Sequence, residues 1–184
     1  VKQKEAFEQI TQFAERHNAL IVADIGSQSL WLKAAKDRDE NLYLSGPMGQ
    51  ASSVALGVAV ANKDRLVIAA CGDGALSMNL TSLATISHVA PKNLMVIVLD
   101  NQVYEFTKSL PVPSTGTDWS KISETFTGFK DTIDLKGMES LNPQEGPYFV
   151  HAEIEGGELP PGPGLHPVDV HHRFKVHCSQ SRTQ

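Results

Sequence analysis

Cysteine is scarce in this sequence, with only Cys71 and Cys178 among 184 residues. That leaves no material for a disulfide framework or a cysteine-rich zinc site. Cys71, set in an apolar run, reads as a small buried hydrophobe. Positive charge is short as well: the formal net charge is −5 and the isoelectric point about 5.8, which argues against nucleic acid or an anionic membrane as the main partner. No apolar run approaches the ~20 residues of a membrane helix. No secretory leader is visible, and no internal repeat is evident. The expectation is a soluble, cytoplasmic protein. Apolar material is plentiful: at 41% hydrophobic, a chain of this length can form one domain with a sizeable core.

The organising stretch runs from Leu66 to Tyr104. Leu66–Cys71 and Leu94–Leu99 are continuous apolar runs of strand length, as expected where helices cover both faces of a sheet. Between them Leu80, Leu83, Ala84, Ile86, Ser87 and Ala90 keep nearly helical spacing, which predicts a right-handed βαβ unit. The turns Gly72-Asp73-Gly74 and Asp100-Asn101-Gln102-Val103 then lie together at the carboxyl edge of adjacent parallel strands, where open α/β sheets bind ligands.

Two glycines around an aspartate let the backbone turn sharply and approach a ligand. A helix expected to begin near Ala75–Ser77 would point free N–H groups at the same spot, favouring a phosphate. Asp73 opposes this, because like charges about 4 Å apart repel by roughly 4 kcal/mol at an effective dielectric near 20. A divalent cation reverses that sign. Mg²⁺ takes about six oxygens, commonly from one or two protein groups plus phosphates and water. Asp73, the Asn101 side-chain carbonyl and the Val103 main-chain carbonyl are the candidate metal ligands, giving a metal–diphosphate site. Two other readings stand beside it. Gly72-Asp73-Gly74 can be a plain surface turn, and Gly72-x-Gly74-x-x-Ser77 imitates a dinucleotide fingerprint with Asp100 as its ribose acid. The second lacks its third glycine and sets an unmetallated carboxylate against the pyrophosphate.

Gly-Asp-Gly, then twenty-six residues, then Asn101 resembles the motif of thiamine diphosphate-dependent enzymes. The resemblance implies that Asp73, Asn101 and the Val103 carbonyl hold Mg²⁺ while Gly74, Ala75 and Leu76 touch the diphosphate. Gly46-Pro47-Met48-Gly49 is similar to a second family element. There the Gly46 carbonyl would meet the 4′-amino group of the cofactor and Met48 would sit beneath it. Gly26 and Ser27, by the same resemblance, lie near the diphosphate; a plain strand–helix turn capped by Ser27 is the competing reading. Pro47, Gly72 and Tyr104 complete the set of cofactor-binding candidates. The segments DIGSQSLW, NLYLSGPMGQASSVALGVAVA, GDGALSMNLTSLATI and APKNLMVIVLDN are similar to the β subunits of sulfopyruvate decarboxylases and the matching half of phosphonopyruvate decarboxylases. The implied fold is α/β, a three-layer αβα sandwich around a mainly parallel sheet of about six strands.

Elsewhere, residues 3–17 predict an amphipathic first helix, and Leu20–Ala23 a first strand. Asn41–Leu44 reads as a short strand and Ala51–Ala61 as a small-residue helix. Residues 105–118 read as a loop. Family members usually carry glycine directly after the tyrosine and a glycine-rich run soon after Thr107, whereas here Glu105 and Lys108-Ser109-Leu110 stand there. Trp119–Phe126 suggests a short helix, Phe129–Ile133 a strand, Gly137–Leu141 a helical turn and Tyr148–Ile154 the last strand. Residues 1–155 form the expected binding domain. Residues 156–184 form a Gly/Pro-rich extended tail, whose His166, His171, His172 and His177 lack acid or cysteine partners at metal-ligand spacing. The tail is expected to pack on a partner.

The resemblance implies decarboxylation of a small 2-oxo acid, sulfopyruvate- or phosphonopyruvate-like, with thiamine diphosphate and Mg²⁺. In the family, a glutamate on a separate pyrimidine-binding domain activates the cofactor. The residues ahead of Leu20 are too few for a second α/β layer. No catalytic residue is therefore assigned to this chain, and the essential glutamate is expected on a pyrimidine-binding, α-type subunit, in a hetero-oligomer or around a homodimer core. The alternatives are a catalytically silent cofactor-binding or scaffold subunit, or half of a carboligase or oxidoreductase using the same cofactor.

Overall fold

The computed structural model describes residues 1–162 and 164–179. Helix α1 (Gln3–Arg16) leads into strand β1 (Leu20–Ala23), helix α2 (Ser27–Ala35), strand β2 (Asn41–Tyr43) and helix α3 (Ala51–Ala61). Strand β3 (Val67–Gly72) follows, then helices α4 (Asp73–Met78) and α5 (Thr81–Val89), then strand β4 (Leu94–Asp100). A two-stranded antiparallel ribbon, β5 (Val103–Tyr104) with β6 (Leu110–Pro111), precedes helix α6 (Trp119–Glu124). Strands β7 (Asp131–Asp134) and β8 (Tyr148–Glu153) and helix α7 (Pro167–Ser179) complete the fold.

The main sheet has six strands in the order β2-β1-β3-β4-β8-β7, and every pairing is parallel. Strands β1, β3 and β4 are buried along their whole length, which explains their unbroken apolar runs. Alternate residues feed two cores. Ile21, Ile68 and Ile97 pack with Phe7, Phe13 and Leu32 on one face. Val22, Val67 and Val96 pack with Ala55, Ala59, Leu83 and Ile86 on the other. The expected three-layer αβα sandwich is what the chain forms. From β1 the chain moves outward to β2, then returns past β1 to β3. The order therefore reverses between β1 and β3, and the crevice at their carboxyl ends is where such sheets take ligands.

Two sequence expectations are corrected. The helix expected from about residue 75 to 90 is two helices, because the chain breaks at Asn79 (φ −136°, ψ 45°) and starts again after Leu80. The tail is extended only to His166. From Pro167 it is helical and packs on this chain, with Val170 and Phe174 buried in the two cores. Arg173 pairs with Asp37 at 2.6 Å and stacks over the Tyr43 ring, and Arg65 donates to the His177 carbonyl at 2.8 Å. The first contacts pin α7 to the β2 edge, and the second ties its end to the residue pair leading into β3. The tail expectation for residues 163 and 180–184 lies outside the described residues.

Candidate functional site

Four strand ends meet at one cavity of about 920 Å³, near the top of the range for small-molecule sites. The β1–α2 turn contributes Gly26 and Ser27, the segment after β2 Gly46 and Met48, the β3–α4 junction Gly72, Asp73, Gly74 and Ala75, and the stretch after β4 Asn101, Val103 and Tyr104. Two candidates stand apart. Leu76 is fully buried in the apolar core, and Pro47 is exposed on the outside of its loop. The cavity is also lined by Gln28, Met78, Glu105 and Phe106, and by Leu159, Pro160 and Gly162 of the tail, none of which was a sequence candidate. The tail residues carried no local signal, since only the long crossing from β8 to α7 brings them here.

The Gly-Asp-Gly segment works differently from the sharp turn expected. Gly72 ends β3 in ordinary extended geometry (φ −76°, ψ 150°) and α4 starts at once with Asp73. Gly74 matters for space: a Cβ there would stand 2.4 Å from the Tyr104 ring and 2.8 Å from Val112. The glycine lets the second loop close down on the first.

Asp73 is 2% exposed, and one carboxylate oxygen accepts the Gln102 N–H at 3.1 Å. Burial, reinforced by the neighbouring Asp100 carboxylate, pushes its pKa up to about 6 in spite of the N–H groups of Gly74 and Gln102. Asp100 in turn meets His151 Nε2 at 3.1 Å. Two carboxylates side by side in a buried place are the electrostatic pattern that a bound cation relieves. Asn101 Oδ1 accepts the Val103 N–H at 3.2 Å, an Asx turn that leaves the second lone pair of that oxygen available. In the ribbon, Val112 N–H bonds the Gln102 carbonyl, so the adjacent Val103 presents its carbonyl away from β6. One carboxylate, one amide oxygen and one main-chain carbonyl form a hard, oxygen-only set that suits Mg²⁺. Among the described residues no three His, Cys, Asp or Glu side chains cluster as an alternative metal site.

On the other side of the cavity the loop after β2 is held by a residue the sequence reading passed over. Asp24, fully buried at the end of β1, accepts the Gly49 N–H on both carboxylate oxygens at 3.1 and 3.2 Å, and the Ile25 N–H at 3.2 Å. The Gln50 and Ala51 N–H groups face the same carboxylate and add to its stabilisation. Burial raises its pKa, and these four donors oppose the rise. Helix α3 has no cap of its own, so Asp24 caps it from a distant strand. A charged residue closing an otherwise apolar strand was the available signal.

A protein-family model, the C-terminal TPP-binding domain of thiamine pyrophosphate enzymes, matches residues 24–139. The β subunit of sulfopyruvate decarboxylase from Methanocaldococcus jannaschii is 43% identical over 84% of this chain and 86% of its own length. The subunit of that name from Methanothermobacter thermautotrophicus is 33% identical over 83% and 82%. Phosphonopyruvate decarboxylase from Streptomyces viridochromogenes is 33% identical over 86% of this chain, which spans only 42% of that protein. In fold, a candidate thiamin diphosphate-dependent enzyme from Mycobacterium smegmatis superposes on 85% of this chain and 32% of its own, with TM-score 0.71 and 21% identity.

Proposed function

Because this chain belongs to the thiamine pyrophosphate enzymes and carries their C-terminal TPP-binding domain, we propose that it is the diphosphate-binding subunit of a two-subunit decarboxylase. Its substrate is a 2-oxo acid of the sulfopyruvate or phosphonopyruvate kind. The observation that carries this is the meeting of the four strand-end segments, with Asp73, Asn101 and the outward Val103 carbonyl at one end and Gly46 and Met48 at the other. Residues 1–155 supply the binding domain, and the tail from residue 156 crosses the cavity mouth before α7 docks.

When bound, thiamine diphosphate would supply an ylid and an electron sink for the bonding pair left behind when carbon dioxide departs. This chain binds and orients. Asp73, Asn101 and Val103 hold Mg²⁺, which neutralises the diphosphate against the buried Asp73–Asp100 pair. Gly74 and Ala75 bring main chain up to the phosphates, and Gly26 and Ser27 close that side. Gly46 and Met48 face the ring end. Glu105 lines the cavity beside the metal ligands, while the glutamate that activates the aminopyrimidine is expected on a pyrimidine-binding subunit, which completes the site. Two features support that partner. The relatives matched over most of their length are named as β subunits, while the chain spans under half of the phosphonopyruvate decarboxylase. Met78 and Phe106 line the cavity yet are 58% and 61% exposed, a rim that a second protein surface would cover. A carboligase half is the second reading, favoured by 28% identity to the large subunit of Escherichia coli acetolactate synthase isozyme 1 over 79% of this chain.

The test is carbon dioxide release from sulfopyruvate and phosphonopyruvate by the chain co-expressed with a pyrimidine-binding subunit. Turnover should require thiamine diphosphate and Mg²⁺ and be absent from this chain by itself. Calorimetry showing no thiamine diphosphate uptake by the complex with Mg²⁺ present would overturn the reading. A two-substrate condensation product would select the carboligase.

A further inference from the structure

The cavity has two ends, and the chain fixes them by separate means. Asp73 and Asn101 follow β3 and β4, whereas Gly46 and Met48 follow β2, at the sheet edge. Strands β4 and β2 are three sheet spacings apart, about 14 Å, so one elongated ligand can touch both ends while a short anion reaches only one. The β2 end is irregular backbone: Ser45, Gly46 and Pro47 are exposed, and Gly46 and Gly49 have φ of +133° and +78°. A loop of that kind holds no shape unless it is tied.

It is tied at Gly49, from both directions. The Gly49 N–H is taken by both oxygens of Asp24. The Gly49 carbonyl is taken by Asn79 Nδ2 at 2.8 Å, from the break between α4 and α5. The Asp24 carboxylate is fully buried and makes no ion pair among the described residues. Its hydrogen-bond donors are the main-chain N–H groups of Ile25 in its own turn and of Gly49, with those of Gln50 and Ala51 facing the same carboxylate. It has no structural task beyond joining the β1 turn to this loop and to the start of α3.

We infer that Asp24 is a positioning residue. Through Gly49 it sets the height of the Gly46–Met48 segment in the cavity, and so governs the fit of the ring end of the ligand but not of the diphosphate end. Asn79 is the second clamp on the same residue, acting on the peptide group that follows. This rests on the functional reading above, in which the ligand is thiamine diphosphate with its ring end toward β2.

The experiment compares two probes on the co-expressed complex by titration calorimetry in Mg²⁺: thiamine diphosphate, and inorganic pyrophosphate, which lacks the ring end. Wild type should hold thiamine diphosphate more tightly than pyrophosphate. Asp24→Asn keeps the shape but places an amide NH₂ among main-chain donors. It should weaken thiamine diphosphate about ten- to a hundredfold, the worth of one or two hydrogen bonds to a charged group, and leave pyrophosphate within about threefold. Asn79→Ala, at a half-buried position, should reproduce the split at about three- to tenfold. A general structural defect would weaken both probes together, and that result overturns the proposal. So does a wild-type complex that separates the two probes while both variants separate them equally well, with the functional reading left standing. A wild-type complex that binds thiamine diphosphate no better than pyrophosphate overturns the functional reading and this proposal with it.

Discussion

Substituting Gly49 by alanine tests whether the loop after β2 is clamped as the geometry requires. Gly49 sits at φ +78°, and a Cβ built there would lie 2.6 Å from the Ala75 carbonyl oxygen and 3.1 Å from Asn79 Cβ. The left-handed conformation costs an L residue roughly 1–2 kcal/mol. The clash is with main chain, so it cannot be relieved by a rotamer change. Either the loop rises or α4 moves, at about 1–3 kcal/mol for a methyl forced into a filled space. Gly49→Ala should therefore lose about 2–5 kcal/mol, a large share of the stability of a domain this size. It should weaken thiamine diphosphate as well, because Ala75 lies next to Gly74 and Asp73. The control is Gly57→Ala on the exposed side of α3, where a Cβ meets nothing within 4 Å. That change should gain roughly 0.5–1 kcal/mol from helix propensity. Urea unfolding of both variants reads the two signs. A Gly49→Ala loss below about 0.5 kcal/mol would refute the clamp.

Four further outcomes follow from the same geometry. Asp73→Asn removes a buried charge facing Asp100, so in metal-free buffer it should unfold at higher temperature than wild type while losing Mg²⁺-dependent thiamine diphosphate binding; lower thermal stability without metal would count against the paired-carboxylate site. Phe174→Ala empties a buried position on α7 and should cost about 3 kcal/mol, read as faster proteolysis after residue 155 with the sheet still folded. The Asp37 carboxyl is raised by burial but lowered further by its bonds from Arg173 and Tyr43, and the net shift is downward. Its stabilisation is therefore complete above about pH 4 and lost as pH falls through its folded value, so the melting-temperature gap between wild type and Asp37→Asn should narrow below pH 4. Ser109→Gly relaxes a hairpin position held at φ +55° and should raise the melting temperature.

The sheet was legible because its strands carry burial in their composition. Unbroken runs such as Leu94–Leu99, short and bounded by turn residues, favour a strand covered on both faces, and Leu20–Ala23 and Ala51–Ala61 match the observed elements to the residue. Local periodicity could not show the break at Asn79. It depends on an amide bond to Gly49, thirty residues away in sequence. The α7 helix was hidden for a similar reason. His171, His172 and His177 dilute its apolar face, and what stabilises it is the fit of Phe174, Val170 and Arg173 to the β2 edge. At the site, motif spacing found residues most of which line the cavity, though Leu76 and Pro47 face elsewhere and Gln28 and Glu105 went unnoticed. It missed Asp24 and Asn79, which act on those residues from behind.

The ribbon beside the cavity shows how far shape can outlast composition. Lys108 and Ser109 are both left-handed, at φ +61° and +55°, in the turn joining β5 to β6. This is the run in which the family resemblance leads one to expect glycine, the residue that takes such angles without penalty. The backbone therefore keeps a glycine-type turn on residues that resist it, at roughly 1 kcal/mol or more for each. A turn held against its own propensities must be fixed by its flanks. Here Gln102 N–H bonds Asp73 and Val112 N–H bonds the Gln102 carbonyl at 3.0 Å, so the ribbon is anchored on the candidate metal ligand itself. Ser109→Gly should then gain about 0.5–1 kcal/mol, with the ribbon unmoved and Mg²⁺ affinity unchanged. A gain accompanied by weaker Mg²⁺ binding would mean that the strain at the hairpin tip reaches Val103, and that the anchoring runs from the tip inward rather than from Asp73 outward.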